Sequence, residues 1–233
     1  DDDHWTDNEY LARVFDNLSA CRSPVDVHYS NQKAIFSNGV ENRENLWIED
    51  LIPRVAGQEK NYGDSCYVDA KFLLSSAGLA HINCSIFKRE FFLSIGQMDE
   101  AIRYENDRDI YIRSIDAATV ILFSTSYISM HTIPDASSRN NLSTTGSDLE
   151  KKLYQLRVHD KGISFSKNSH VARFCCKAKM YEMKHASRIM AQRGQYRGAA
   201  HYAKAALIDG FNLRWLAYTI YLWFKSLTNS SEA

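Results

Sequence analysis

Apolar residues first recur at helical spacing just after a polar start: Tyr10, Leu11, Val14, Phe15 and Leu18 mark one face of an amphipathic helix. Thr6-Asp7-Asn8-Glu9 ahead of them has the Ser/Thr-x-x-Glu form of a capping box, which predicts the helix start. Ser23-Pro24 ends the pattern. Val25, Val27 and Tyr29 then alternate with Asp26 and His28, as a half-buried strand requires. Residues 38–63 are polar and carry Pro53, Gly57 and Gly63, which predicts a long surface excursion. Further on, residues 72–79 read as helix and the apolar run 82–87 as strand. Residues 88–95 read as a short helix stopped by Gly96. Residues 110–115 fit the flank of a helix, and residues 119–123 and 127–130 read as two short strands. A run rich in Ser, Asn and Thr over residues 132–148 reads as a loop.

From Asp148 the period becomes helical throughout. Ala186, Ile189, Met190, Tyr196, Ala199, Ala200, Ala203, Ala206 and Leu207 form stripes on either side of a turn at Gly194. Residues 196–206 resemble one unit of a helical-repeat hairpin, but no second copy follows, so an array is not supported. Strands alternating with helices and then helices alone predict an α/β domain over residues 1–145 and a helical tail over residues 146–233.

Composition narrows the function classes. Hydrophobic residues make up 45% and aromatics 12% of the 233, enough to fill a core, so disorder is not expected. Lys and Arg total 28 and so do Asp and Glu, which gives no overall basic excess of the kind that marks nucleic-acid binding. The balance conceals an acidic start and a mainly basic stretch over residues 177–214. Five cysteines stand without a Cys-x-x-Cys pair, so reduced thiols and a cytoplasmic setting are the default expectation. The longest apolar stretch, residues 215–224, is far shorter than the roughly 20 residues a membrane span takes. Asp1 in place of an initiating Met, with no signal peptide, reads as a cut inside a longer protein.

The chain opens on Asp1, Asp2 and Asp3. Three adjacent carboxylates repel one another unless a cation sits among them. Mg²⁺ commonly bridges such groups to substrate phosphates. An exposed acidic tip with no ligand explains the triplet alone equally well.

Asp2-Asp3-His4-Trp5, leading into the helix at Tyr10-Leu11, resembles the metal motif of family 2 glycosyltransferases of the GT-A fold. A more specific likeness lies about 95 residues later. Residues 87–100 are similar to the family's segment ending in Gly-Gly-Phe-Asp-Glu, with Gln97 and Met98 in place of the second Gly and the Phe, and residues 101–113 follow its Glu-Asp-x-Asp helix without a gap. The resemblance covers residues 1–143 and implies the acceptor-side half of a Rossmann-like GT-A domain. It implies a divalent metal, Mn²⁺ or Mg²⁺, held by Asp2 with Asp1 and Asp3 beside it. His131, after the strand at 127–130, matches a family His that completes the metal shell, although Ser129 stands where the family has Arg. Arg139 is expected to face the donor diphosphate, which a planar guanidinium fits. Asn106 replaces the family's Glu, which leaves Asp107 as the catalytic base and Glu105 as reserve. Asp109 and Arg113, four apart on one helix, read as an ion pair. His81, ahead of Asn83 and Cys84, reads as structural.

The resemblance implies an inverting transfer of sugar from a nucleotide-diphosphate sugar to a hydroxyl of a glycan or lipid-linked acceptor. The family's nucleoside-binding strands are not in this sequence, so the chain alone is expected to hold donor poorly. A non-catalytic fragment or helical-repeat module is the rival reading. A phosphotransferase is a further one, but no P-loop or paired metal His motif supports it. Trp215, Leu216, Tyr218, Leu222 and Trp223 crowd the last helix between Arg214 and Lys225. Burial against the domain, peripheral membrane contact and self-association all remain open for it.

Overall fold

A computed structural model describes residues 3–55, 63–133 and 146–228. Asp1, Asp2 and Arg139 lie outside the described residues. The chain divides into two compact units, Asp1–Ala101 with Asn106–Thr144, and Ile102–Glu105 with Thr145–Ala233.

The first unit is mixed α/β. It runs β1 (Asp3–Trp5), α1 (Tyr10–Ala20), β2 (Val27–Ile35), a 3₁₀ turn (Glu49–Leu51) into α2 (Ile52–Val55), and β3 (Ser65–Val68). Then follow α3 (Ala70–Leu73), a second 3₁₀ turn (Ile82–Cys84), β4 (Ser85–Phe87), α4 (Arg89–Ser94), α5 (Asn106–Ala117) and β5 (Ile121–Thr132). β5 is the spine of the sheet. β2 runs parallel along it, β4 pairs antiparallel with β2, and β3 and β1 pair antiparallel with the start and end of β5.

Several sequence expectations change here. β2 is not half-buried: Val27 through Gln32 are all buried, so the strand is covered on both faces. Its polar side chains find partners inside for part of their hydrogen-bonding atoms. Asn31 Nδ2 donates to the Ser124 carbonyl at 2.8 Å and Gln32 Oε1 accepts from Ser129 at 2.8 Å. The two short strands at 119–123 and 127–130 are one strand, β5. Its register shifts opposite Asn31, where the extra residues around Ser124 bulge. The capping box does not form. Glu9 flanks the helix without a side-chain cap. Asp7 instead accepts from the Glu9 N–H and from Arg13, both at 3.0 Å. Tyr10 and Val14 of the predicted α1 stripe are buried against Cys84 and Ile128 with Leu18 packed beside them, while Leu11 is 54% and Phe15 70% exposed. The excursion at 38–63 is not purely superficial, since Trp47, Ile48, Leu51 and Val55 are buried. Residues 72–79 hold only the end of the one-turn helix α3, and the apolar run at 82–87 is a 3₁₀ turn before a three-residue strand.

Beneath α1 lies a polar network. The Asp64 carboxylate accepts from Ser124 Oγ at 2.7 Å, from Ser65 at 3.1 Å, from Asn17 Nδ2 at 3.0 Å and from Ser126. Burial pushes the Asp64 carboxyl up, but these hydrogen bonds outweigh it and bring it to about 2. His28 Nε2 lies 3.1 Å from Ser65 Oγ and its Nδ1 has no hydrogen-bond partner. Burial depresses the His28 pKa to about 4 from 6.5. Unfolded His28 takes up a proton below pH 6.5 while the folded residue stays neutral. Its stabilising contribution is therefore complete above 6.5 and is lost as pH falls toward 4, by about 2–3 kcal/mol. Urea unfolding at pH 7 and at pH 4.5 should show most of this loss, and His28→Gln should flatten it. An unchanged pH slope in the variant would rule out His28 as the source.

The second unit is helical: α6 (Asp148–Phe165), α7 (Ser169–Gln192), α8 (Tyr196–Asp209) and α9 (Leu213–Thr228), each packed on the next. Ser147 caps α6 by accepting from the Glu150 N–H at 3.3 Å, and Gly194 makes its turn at φ +74°. Ala199, Ala203 and Ala206 are fully buried on α8. Such small side chains let neighbouring backbones come close enough to be read by side chains. Ser187 donates to the Ala199 carbonyl at 2.8 Å, and Trp215 Nε1 to that of Ala203 at 2.9 Å. Trp215 and Leu222 are the residues of α9 that enter this core.

Candidate metal centre

β1 and β5 pair so that Asp3 stands directly opposite His131. Cross-strand partners project to the same face with Cβ atoms about 5 Å apart, and Asp3 Oδ1 touches His131 Nδ1. The other carboxylate oxygen accepts from Asn83 Nδ2 at 2.6 Å, and the Asn83 carbonyl accepts from Trp5 Nε1 at 3.1 Å. Asn83 thus ties the 3₁₀ turn to β1. His81, the residue before that turn, is brought in with it, its ring centroid 5.7 Å from that of His131.

The approach of His81 depends on the segment expected to be a surface loop. Asp50 accepts from Ser76 Oγ and from the Ala77 N–H, which holds the turn leading to His81. A Cβ on Gly78 would stand 2.1 Å from the Trp47 carbonyl oxygen, so only glycine admits this contact. Trp47, clamped there, sets its ring edge-on to both imidazoles, 5.9 Å from His81 and 5.4 Å from His131.

Asp3, His81 and His131 each offer one ligand atom, all within 4.8 Å of one another, and all three are half-buried. Two ligands about 2.1 Å from one ion stand up to about 4 Å apart, so a small side-chain rotation closes the set on a cation. Two imidazoles and a carboxylate suit Mn²⁺ and later transition ions better than Mg²⁺, which favours an all-oxygen shell.

Asp107, on the first turn of α5, places Oδ2 3.5 Å from His81 Nε2. The Asn83 backbone N–H, which can only donate, points at His81 Nδ1 from 3.3 Å. Nδ1 therefore holds the lone pair, and the proton of neutral His81 sits on Nε2, toward Asp107. His81 can ligate a metal only by giving up one of these two contacts. Burial lowers its pKa, against the opposing pull of Asp107 and Asp3. The imidazole is thus favoured in its neutral form.

The structure therefore gathers Asp3, His131 and Asp107 but exchanges one expectation. His81 is not simply structural: it belongs to the cluster. No local spacing could have shown this, because the three donors come from a strand end, a turn and another strand end. Asp2 and Asp1, the expected principal ligands, lie outside the described residues, as does Arg139. Glu105 belongs to the helical unit, has φ +67° and accepts from Gln155 Nε2 at 2.8 Å. Asp109 and Arg113 do pair, but as a buried brace rather than a surface pair. Arg113 reaches Asp109 Oδ2 at 2.8 and 2.6 Å and donates to the Ile95 and Gln97 carbonyls. No protein family, curated protein or solved structure matches this chain.

Proposed function

We propose that the chain is the acceptor-side part of a metal-dependent glycosyltransferase of the family 2, GT-A type, transferring sugar from a nucleotide-diphosphate donor to a hydroxyl acceptor with inversion. One observation carries this reading. The three separate stretches that resemble the family, at Asp3, at Asp107 and at His131, converge with His81 at one place in the fold. A helical-repeat adaptor gives no reason for two carboxylates and two imidazoles to meet there.

A bound divalent cation would offset the negative charge of the departing diphosphate. Asp3 and His131 are the residues on which that site relies, since the commitments of His81 are divided. Asp107 accepts the proton of the attacking hydroxyl, a role that needs an ionised carboxylate within hydrogen-bond reach. The Nε2–H of His81 faces Asp107 from 3.5 Å and helps to set the direction of its carboxylate. The acceptor class, a glycan or a lipid-linked glycan, rests on the resemblance.

Calorimetric titration of the 233-residue chain with Mn²⁺ and Mg²⁺ tests the metal site. Mn²⁺ should bind the more tightly, and His131→Ala or Asp3→Asn should weaken it by about tenfold or more, the scale seen when a ligand's support is removed. Mn²⁺ binding unchanged in both variants would remove the centre from the argument.

A further inference from the structure

The zero net charge of the chain is the sum of two opposites. Between Asp148 and Thr228 there are 15 Lys and Arg against 5 Asp and Glu. Within this basic unit a cavity of about 560 Å³ is lined by Lys184, His185, Arg188 and Arg214 around Trp215 and Tyr218. Among the described residues no carboxylate lines it. Lys184 and Arg188 lie over the face of the buried Trp215, at 5.5 and 5.6 Å from its ring centroid. They are four apart on α7, where like charges repel. Among the described residues none of Lys184, Arg188 and Arg214 has an ion-pair partner within 4.0 Å. The arrangement suits a phosphate-bearing anion, with guanidinium and ammonium groups meeting its oxygens.

A second observation says what carries that phosphate. With Trp215 and Leu222 turned into the core, the opposite face of α9 is apolar along its whole length. Leu213, Ile220, Trp223, Phe224 and Leu227 are all exposed, and at about 100° per residue they fall on one arc. Arg214, which lines the cavity, and Lys225, which lies over Tyr196, flank the helix between that arc and its buried face, and α9 has no acidic residue. No helix among the described residues is long and apolar enough to cross a membrane. An apolar face with basic edges, too short to span, belongs in the plane of a bilayer interface.

We propose that the helical unit docks on an anionic lipid surface, α9 lying in the interface with its apolar face among the acyl chains and the basic cavity taking a headgroup phosphate. This goes beyond the glycosyltransferase reading and does not depend on it. The occupant is set by charge complementarity: a strongly basic unit attracts anionic lipid over neutral lipid.

Flotation of the 233-residue chain with vesicles is the test. It should rise with vesicles in which about a third of the phosphatidylcholine is replaced by phosphatidylglycerol, and stay down with phosphatidylcholine alone. Trp223→Ser with Phe224→Ser, both more than half exposed, should cut the bound fraction about tenfold or more through lost apolar insertion. Lys184→Gln with Arg188→Gln should cut it about tenfold through lost charge, with far-UV dichroism unchanged in both. The proposal is overturned by absence of flotation, by equal binding to neutral vesicles, or by variants that float like the parent. Two further outcomes also overturn it. One is inorganic phosphate filling the cavity of a chain that ignores vesicles. The other is retention by duplex nucleic acid in place of lipid.

Discussion

Asp107→Asn is expected to reduce sugar transfer by roughly 10²–10⁴-fold, the usual contribution of a positioned general base. The assay needs residues 1–233 joined to the nucleoside-binding strands that the family resemblance implies. Asparagine keeps the size of the side chain but takes no proton from a hydroxyl. At the first turn of α5 the change costs little stability, since a carboxylate near a helix N-terminus contributes about 0.3–1 kcal/mol. Loss of rate in a normally folded protein would therefore come from chemistry. Glu105→Gln should leave the rate nearly unchanged, because that carboxylate is engaged by Gln155. Full transfer by the Asp107 variant would sink the assignment of the base and, with it, the main reason for preferring an enzyme over an interaction module.

The second large effect is on folding. Arg113→Ala should destabilise the first unit by about 3–5 kcal/mol, the range for removing one partner of a buried ion pair. Asp109 is only 2% exposed, so the variant removes the guanidinium from a carboxyl group that water does not reach. The same deletion frees the Ile95 and Gln97 carbonyls, and with them the turn in which Gly96 and Gln97 both have positive φ, +86° and +57°. A non-glycine residue in that region is held there at a cost. Arg113→Lys should recover only part of the loss, because an ammonium cannot reach the carboxylate and both carbonyls with the geometry of a guanidinium. Urea denaturation would measure it, and a midpoint shift worth less than about 1 kcal/mol would show the brace to be superficial.

Where one element could be recognised from its own residues, the sequence was a sufficient guide. Gly96 stops α4 as its position predicts, and the switch to helical period near Asp148 marks where the four-helix run begins. The misreadings have a common physical cause. Ser124 and Ser126 break the apolar run of β5, yet their hydroxyls are spent on Asp64, which only the fold brings near. β2 looks half-exposed because Asp26 and His28 are polar, but His28 is buried beside Ser65 of β3. Residues 38–55 looked superficial because the apolar Trp47, Ile48 and Leu51 are thinly spaced among charges. The candidate site was half legible. The Asp3 and Asp107 motifs and His131 carry marks in the sequence. His81 carries none, since nothing near it reveals that Gly78 lets its turn settle against Trp47.

The pairing of β1 with β5 also bears on how the chain folds. Asp3 and His131 are 128 positions apart, so their strands meet only after the polypeptide between them has been drawn into a closed loop. Contacts of such separation make little contribution until that entropy is recovered, and topologies built on them fold slowly. The Asp3–His131 pair, and with it the candidate metal centre, therefore forms only when the sheet closes, and its appearance during refolding would time that closing.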